Sequence, residues 1–353
     1  MDRFSENITN LREYNLPQNQ LVQMCDSPQL FRDRYKILKI IGRGGFGITF
    51  LAKDAILPGN PLCVIKQLCP KVTNTKSWQN ACQRFEKEAK TLAKLGSHSQ
   101  IPMLLDYFNS HGELYLVQEY VRGYTLAREV KRNGVKTETE VKEFLRELLP
   151  ILQYLYQNKV IHRDIKPQNL LRCADDGRIV LIDFGAVKEQ LADIVTNSPN
   201  QPQTNFVGTM GFAPPEQFSL RPVYASDIYA LGVTCAYLLT GKSPMEMARN
   251  SQTGEICWDE DVKVSDNFAK ILHKMLKVSL DERFQKPQDV IRALSIENDL
   301  PNLTNCLMTQ PLSSKPATNP ETPQVYSPSV AKTAIAIRQW KAKLKQKRVM
   351  GNR

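Results

Sequence analysis

The sequence predicts an α+β fold in two lobes: a small five-stranded antiparallel β lobe carrying one helix, then a larger, mainly helical lobe. Two observations predict it. Strand-like segments dominate residues 34–121, with one helical stretch among them, and helical periodicity dominates residues 122–297. The change falls at Arg122-Gly123, which breaks the strand pattern and places a cleft between the lobes. At 353 residues, with 42% hydrophobic and 24% charged residues, the chain has the composition of an ordinary globular protein.

Residues 1–33 are polar, with Pro17 and Pro28 among Asn and Gln, and read as an extension that drapes on the domain or stays loose. Tyr35–Ile41 is a strand leading into Gly42-Arg43-Gly44-Gly45-Phe46-Gly47, and Ile48–Ala52 returns as a second strand. Glycines let backbone N–H groups approach a polyphosphate without a Cβ in the way. Taken alone, the spacing also fits a dinucleotide turn or a ligand-free hairpin. The β-branched and aromatic residues after Gly47 favour a hairpin over a helix, and so a lid over phosphates.

Leu62–Leu68 is a third strand, with Lys66 inside it. Ser77–Leu95 is helical, with Phe85, Ala89, Leu92 and Leu95 on one face and Glu88 beside that stripe. In isolation Lys66 reads as a lysine at a sheet edge or on a solvated face, and Glu88 as a solvated charge. Their order changes that reading: the lysine follows the glycine hairpin, and the next helix carries a carboxylate able to hold it. Ile101–Phe108 and Leu114–Val121 complete the five strands, joined by the turn Asn109–Gly112.

The second lobe opens with helices over Thr125–Arg132 and Thr137–Gln157. Then comes His162-Arg163-Asp164-Ile165-Lys166-Pro167-Gln168-Asn169, an acid, a lysine and an amide within six residues. That set suits a hydroxyl, a phosphate and a metal ion. The hairpin Arg178–Ile182 ends on Asp183-Phe184-Gly185, where the acid is a turn residue or a well-fixed metal ligand. Ser226–Leu239 is an apolar helix whose Asp227 either caps it or holds a neighbouring backbone. Helices near Asp266–Lys277 and Pro287–Leu294 close the lobe.

Residues 298–330 hold six prolines among Ser, Thr and Asn and read as a linker. Residues 331–353 carry eight Lys and Arg with no acid, so most of the net charge of +11 belongs to a tail. Ile337, Trp340 and Leu344 fall there at helical spacing. A disordered tail competes with a basic amphipathic segment on an anionic membrane surface or a partner protein, and one aromatic among lysines argues against nucleic acid. The eight cysteines form no Cys-x-x-Cys pair, and residues 1–10 have no apolar run, so a cytoplasmic protein with reduced thiols is expected.

The ordered set resembles the eukaryotic-type serine/threonine protein kinase family, in its bacterial branch. The glycine loop, Ile65-Lys66, Glu88, His162-Arg163-Asp164 with Asn169, and Asp183-Phe184-Gly185 follow the family's order. So do Gly208-Thr209, Pro214-Pro215-Glu216, Asp227–Gly232 and Arg283. The resemblance implies the two-lobed kinase fold and transfer of the γ-phosphoryl group of ATP to protein Ser and Thr hydroxyls, with Mg2+, or Mn2+ in its place.

It implies that Ile41, Gly42, Gly44, Gly45, Gly47, Thr49, Val64 and Leu171 surround the nucleotide, with Glu119 and Val121 offering backbone bonds to adenine after Gln118. Lys66 would bind phosphates, oriented by Glu88. Asn169 and Asp183 would hold the metal. Asp164 would receive the substrate hydroxyl proton, and Lys166 would balance charge on the γ-phosphoryl. Thr49, Val64 and Pro214 depart from the family's usual Val, Ala and Ala. Arg163 implies regulation by a phosphate on residues 183–216, with Thr196, Ser198, Thr204 and Thr209 as candidates and Thr204 the first choice. A non-catalytic scaffold of the same fold would differ at Lys66, Asp164, Asn169 or Asp183, and all four are intact.

Overall fold

The computed structural model describes residues 20–25, 27–44, 47–69, 75–96, 98–185, 188–189, 209, 211–260 and 262–295. The linker, the basic tail, Gly45 and Thr196, Ser198 and Thr204 lie outside them.

The first lobe is a single antiparallel sheet. Its strands are β1 (Leu30–Phe31), β2 (Tyr35–Gly44), β3 (Gly47–Asp54), β4 (Leu62–Leu68), β5 (Leu104–Ser110) and β6 (Glu113–Glu119), in the order β1-β2-β3-β4-β6-β5. The sheet therefore has six strands where the sequence predicts five. The sixth is a two-residue strand just before the predicted boundary at residue 34, too short to show a period. It belongs with α1 (Gln20–Gln23), and together they drape over the outer face of the sheet. Leu21, Met24 and Phe31 are buried there against Tyr35, Phe50 and Tyr115. Arg34 fastens the corner through Asp54 at 2.7 Å and Asp106 at 3.3 Å.

Two register shifts in β2, at Ile37/Lys39 and Ile40/Gly42, bend the glycine hairpin out of the plain ladder. The opposite face takes α2 (Thr75–Leu95), whose apolar stripe of Phe85, Ala89, Leu92 and Leu95 is buried as its spacing requires.

In the second lobe, β7 (Gly123–Thr125) leads into α3 (Leu126–Asn133), capped by the Thr125 hydroxyl, which accepts from the Arg128 N–H at 3.3 Å. Next comes α4 (Glu138–Gln157), begun by a reciprocal capping box between Thr137 and Glu140. Its stripe from Val141 to Leu155 is buried. After β8 (Val160–Ile161), a 3-10 turn at Pro167–Asn169 feeds β9 (Leu170–Cys173), which pairs with β7 and with β10 (Ile179–Leu181). A short β11 (Lys188–Glu189) pairs with β8.

Then follow α5 (Pro215–Phe218), α6 (Tyr224–Thr240), α7 (Asp266–Met275) and α8 (residues 287–295). Every residue of α6 from Ala225 to Ala236 is buried, so it is a core helix, mostly apolar but carrying Ser226, Asp227 and Thr234 inside. Arg283 is buried and bonds Glu216 at 2.6 Å, tying α5 to the segment before α8. Among the described residues no helix is long and apolar enough to cross a membrane.

The clasp formed by α1 and β1 is part of the lobe's packing. Leu21→Ala is expected to cost about 2–5 kcal/mol of stability in urea denaturation. Leu30→Ala, on the exposed side of β1, should stay within about 0.5 kcal/mol. Equal effects would contradict a packed clasp.

Candidate active site

A cleft of about 610 Å³ lies between the sheet and the helical lobe. Its floor is the loop 162–169, held from below by α6. The backbone N–H groups of His162 and Arg163 donate to the two oxygens of Asp227, each at 2.8 Å. Asp227 therefore does not cap α6: it sits within the helix and holds the loop, while Ser226 accepts the Val223 N–H at 3.0 Å. Burial pushes the Asp227 carboxyl up, to about 6, against the N–H groups of Arg163 and His162, which favour its charged form. It remains a carboxylate at neutral pH. Arg163 has a left-handed backbone, φ 70°, and its carbonyl accepts from the Gln217 amide at 2.7 Å.

Above this floor Asp164 is surrounded by donors. The Lys166 ammonium reaches Asp164 Oδ2 at 2.7 Å, and the Asn169 amide reaches the same oxygen at 2.8 Å. The Thr209 hydroxyl donates to Asp164 Oδ1 at 2.8 Å and accepts from Lys166 at 2.6 Å. Asn169 also donates to the Asp164 carbonyl. Both amide hydrogens of Asn169 are thus engaged, and its side-chain oxygen has no protein partner among the described residues.

The opposite wall supplies Lys66. Strand β4 is central, between β3 and β6, so the edge-strand reading of this lysine does not hold. Lys66 faces the cleft, bonding Glu88 of α2 at 2.5 Å and Asp183 at 3.2 Å. Burial pulls the ammonium's pKa down, but Asp183 and Glu88 outweigh burial and hold it above its ordinary value. Lys66 in turn keeps Asp183 below the usual carboxylate range. Asp183 is half exposed toward the cleft and has φ 68°, a conformation Asp tolerates better than most residues. A Cβ on Gly185 would stand 3.2 Å from the Glu88 carboxylate, so glycine leaves that contact room.

Ile41, Gly42, Gly47, Thr49, Val64, Lys66, Glu88, Glu119, Val121, Asp164, Lys166, Asn169, Leu171 and Asp183 all line the cleft. Gly44 ends β2 and is not among the lining residues. A Cβ at Gly47 would collide with the Gln67 carbonyl, which makes that glycine a requirement of strand packing as well as of ligand approach. The sequence reading missed Ala81 and Arg84, one turn from Phe85 and Glu88, which also reach the cleft. Their helical spacing from Glu88 was the available signal.

His162 is fully buried, its ring edge-on to Phe184 at 4.9 Å. Burial pushes its imidazole down to about 4. Carboxylate and amide oxygens at Asp183 and Asn169 suit a hard cation such as Mg2+, and the lysine opposite suits a phosphate.

The pattern described as a protein kinase domain matches residues 35–293. The chain belongs to the protein kinase family. It is 53% identical over 281 residues to serine/threonine-protein kinase B of Synechocystis sp., covering 78% of this chain and 49% of that protein. It is 43% identical over 270 residues to serine/threonine-protein kinase PknA of Nostoc sp., covering 76% and 48%. Against Aurora kinase C of Mus musculus it is 29% identical over 259 residues, covering 72% and 88%. The chain thus spans about half the length of the cyanobacterial relatives. The two-lobed kinase fold is the one described above.

The depressed His162 gives a signed expectation. The folded state excludes the proton that an unfolded His takes up near pH 6.5. This stability is complete above pH 6.5 and is lost as pH falls toward about 4. Between pH 7 and pH 5 the wild type should lose about 2 kcal/mol more than His162→Phe, which keeps the ring contact without the titration. Parallel losses in urea denaturation would remove His162 from the acid response.

Proposed function

We propose that the chain is an ATP-dependent serine/threonine protein kinase, non-specific in the sense of acting on protein hydroxyls, with autophosphorylation and signalling as its setting. The Asp164–Lys166–Thr209 triangle carries this reading. A substrate hydroxyl entering beside Asp164 Oδ1 finds an acceptor for its proton, and Lys166 stands where negative charge on the transferred group needs a partner. Little covalent chemistry is asked of the protein, so fixed positions matter most.

On this reading Ile41, Gly42, Gly47, Thr49, Val64 and Leu171 enclose the nucleotide, and Glu119 and Val121 present backbone groups to adenine. Lys66 binds phosphate oxygens, with its rotamer held by Glu88. Asn169 and Asp183 hold Mg2+, or Mn2+, and the metal neutralises phosphate charge when ATP is bound. The substrate supplies the nucleophile, and the ADP oxygen leaves.

Arg163 favours regulation by phosphate. Its Nε and Nη2 are buried without a hydrogen-bond partner among the described residues. Burial lowers its pKa, Asp227 opposes that, and Arg84 adds to it. A phosphate on Thr204 would offset this cation. For residues 331–353 we propose a cytoplasmic segment that contacts an anionic membrane surface or a partner protein through its eight cations.

Incubation with labelled ATP and Mg2+ against a generic protein substrate should label it at Ser and Thr. Asp164→Ala should reduce the rate by about 10²-fold or more. Equal labelling by both proteins would refute the assignment. Mapping phosphosites in the wild-type sample should find Thr204, and Thr204→Ala should lower activity. An unmodified Thr204 in fully active protein would remove the proposed switch.

A further inference from the structure

Tyr124 and two arginines form an exposed ledge beside β9, whose Leu171 lines the cleft. The phenol is 47% exposed, and the Arg128 and Arg132 guanidinium carbons stand 4.5 Å and 5.3 Å from its ring centroid. Tyr124 lies in β7, just before the N-cap of α3, and Arg128 and Arg132 follow four apart on the exposed face of the helix, both over the Tyr124 ring. Packing accounts for part of this: an arginine over an aromatic face is attractive, and cations suit the last turn of a helix.

Packing does not account for the missing counter-charges. Neither Arg128 nor Arg132 bonds a carboxylate among the described residues. Lys131 adds a third cation in the same turn. Glu129, the one acid of α3, is turned away and is taken by Lys136 at 2.7 Å and Arg172 at 3.0 Å. Nearby Arg122 pairs with Asp175. Like charges four apart on a helix destabilise it, so the uncompensated pair costs stability.

Position gives the pair a use. Thr125, next to Tyr124, pairs with Leu171 of the cleft wall. The helix packs against the 3-10 turn carrying Asn169, which bonds Asp164. Leu171 lies two residues beyond Asn169, and paired strands stand about 4.8 Å apart. The ledge is therefore on the order of 15–20 Å from Asp164, which an extended peptide covers in about four to six residues.

We propose that Tyr124, Arg128 and Arg132 bind an acidic side chain of the protein substrate, about four to six residues from the accepting hydroxyl. The ledge selects Asp or Glu by bidentate guanidinium contact, with the phenol face holding both arginines in place. This inference rests on the protein kinase reading and adds the substrate class.

The test uses the full chain and single-serine peptides that differ only in carrying two Glu or two Gln at four to six residues on either side of the serine. The Glu peptide on the favoured side should have a kcat/KM about tenfold higher, expressed in KM. Arg128→Ala with Arg132→Ala should abolish that preference and leave the Gln peptide unchanged. Arg128→Glu with Arg132→Glu should shift the preference to a Lys peptide. Fluorescence anisotropy of the same peptides, without turnover, should show the same order. Equal binding of Glu and Gln peptides, or a preference that survives both double variants, overturns the ledge. Binding with the expected order but no phosphorylation upholds the ledge and counts against the kinase reading instead.

Discussion

The backbone N–H groups of His162 and Arg163 both end on one buried carboxylate, that of Asp227, and the geometry of the cleft floor follows from this. The loop after β8 has no ladder partner for these donors, and a buried N–H without an acceptor costs about 1–3 kcal/mol. Meeting both from one side chain requires an acid at the centre of the lobe. That acid must sit on an element deep enough to reach the loop from beneath, and α6 is such an element because its apolar surroundings fix its depth. The same burial penalises the charge that makes Asp227 a good acceptor. The two N–H bonds offset enough of that penalty to keep it ionised at neutral pH.

The upper wall solves a similar problem with a different balance. A lysine in a central strand beside a buried glutamate would be costly for either residue alone. Lys66 and Glu88 come from separate elements, β4 and α2, and Asp183 arrives from the other lobe as a second anion for the lysine. Asp183 is the exposed member, and so the one whose oxygens face a ligand. The arrangement couples the helix, the strand and the lobes through one ammonium. A shift of α2 would remove the shorter of the two ion pairs.

Much of this was legible because the chemistry uses rare residues in fixed order. Lys66 inside a strand and Glu88 beside an apolar stripe looked ordinary singly, and only their sequence relative to the glycine hairpin gave them a role. The helices were legible from their apolar period, as from Val141 to Leu155, whereas the capping box of Thr137 and Glu140 that starts α4 was not read. The sixth strand was not, because two residues carry no period and their stability comes from distant partners such as Phe108 and Tyr115. The position of Asp227 was half legible. A helix-start acid reads as a cap, and only the tertiary placement of α6 against residues 162–163 gives it another task. Arg84 was missed because its reach into the cleft depends on how α2 is rotated about its axis.

Charge compensation separates structural cations from the rest. Arg34 has Asp54 and Asp106, Arg172 has Glu129, and Arg283 has Glu216. These three cations are neutralised within the fold. Arg163, with buried nitrogens, and the Arg128–Arg132 pair, exposed over one phenol, lack such partners among the described residues, as does Arg32 over the Phe108 ring. The residue beneath both guanidinium groups is Tyr124 of β7, not an acid. A tyrosine there arranges the guanidinium groups without neutralising them, which leaves their hydrogen-bonding edges for an anion from outside the chain.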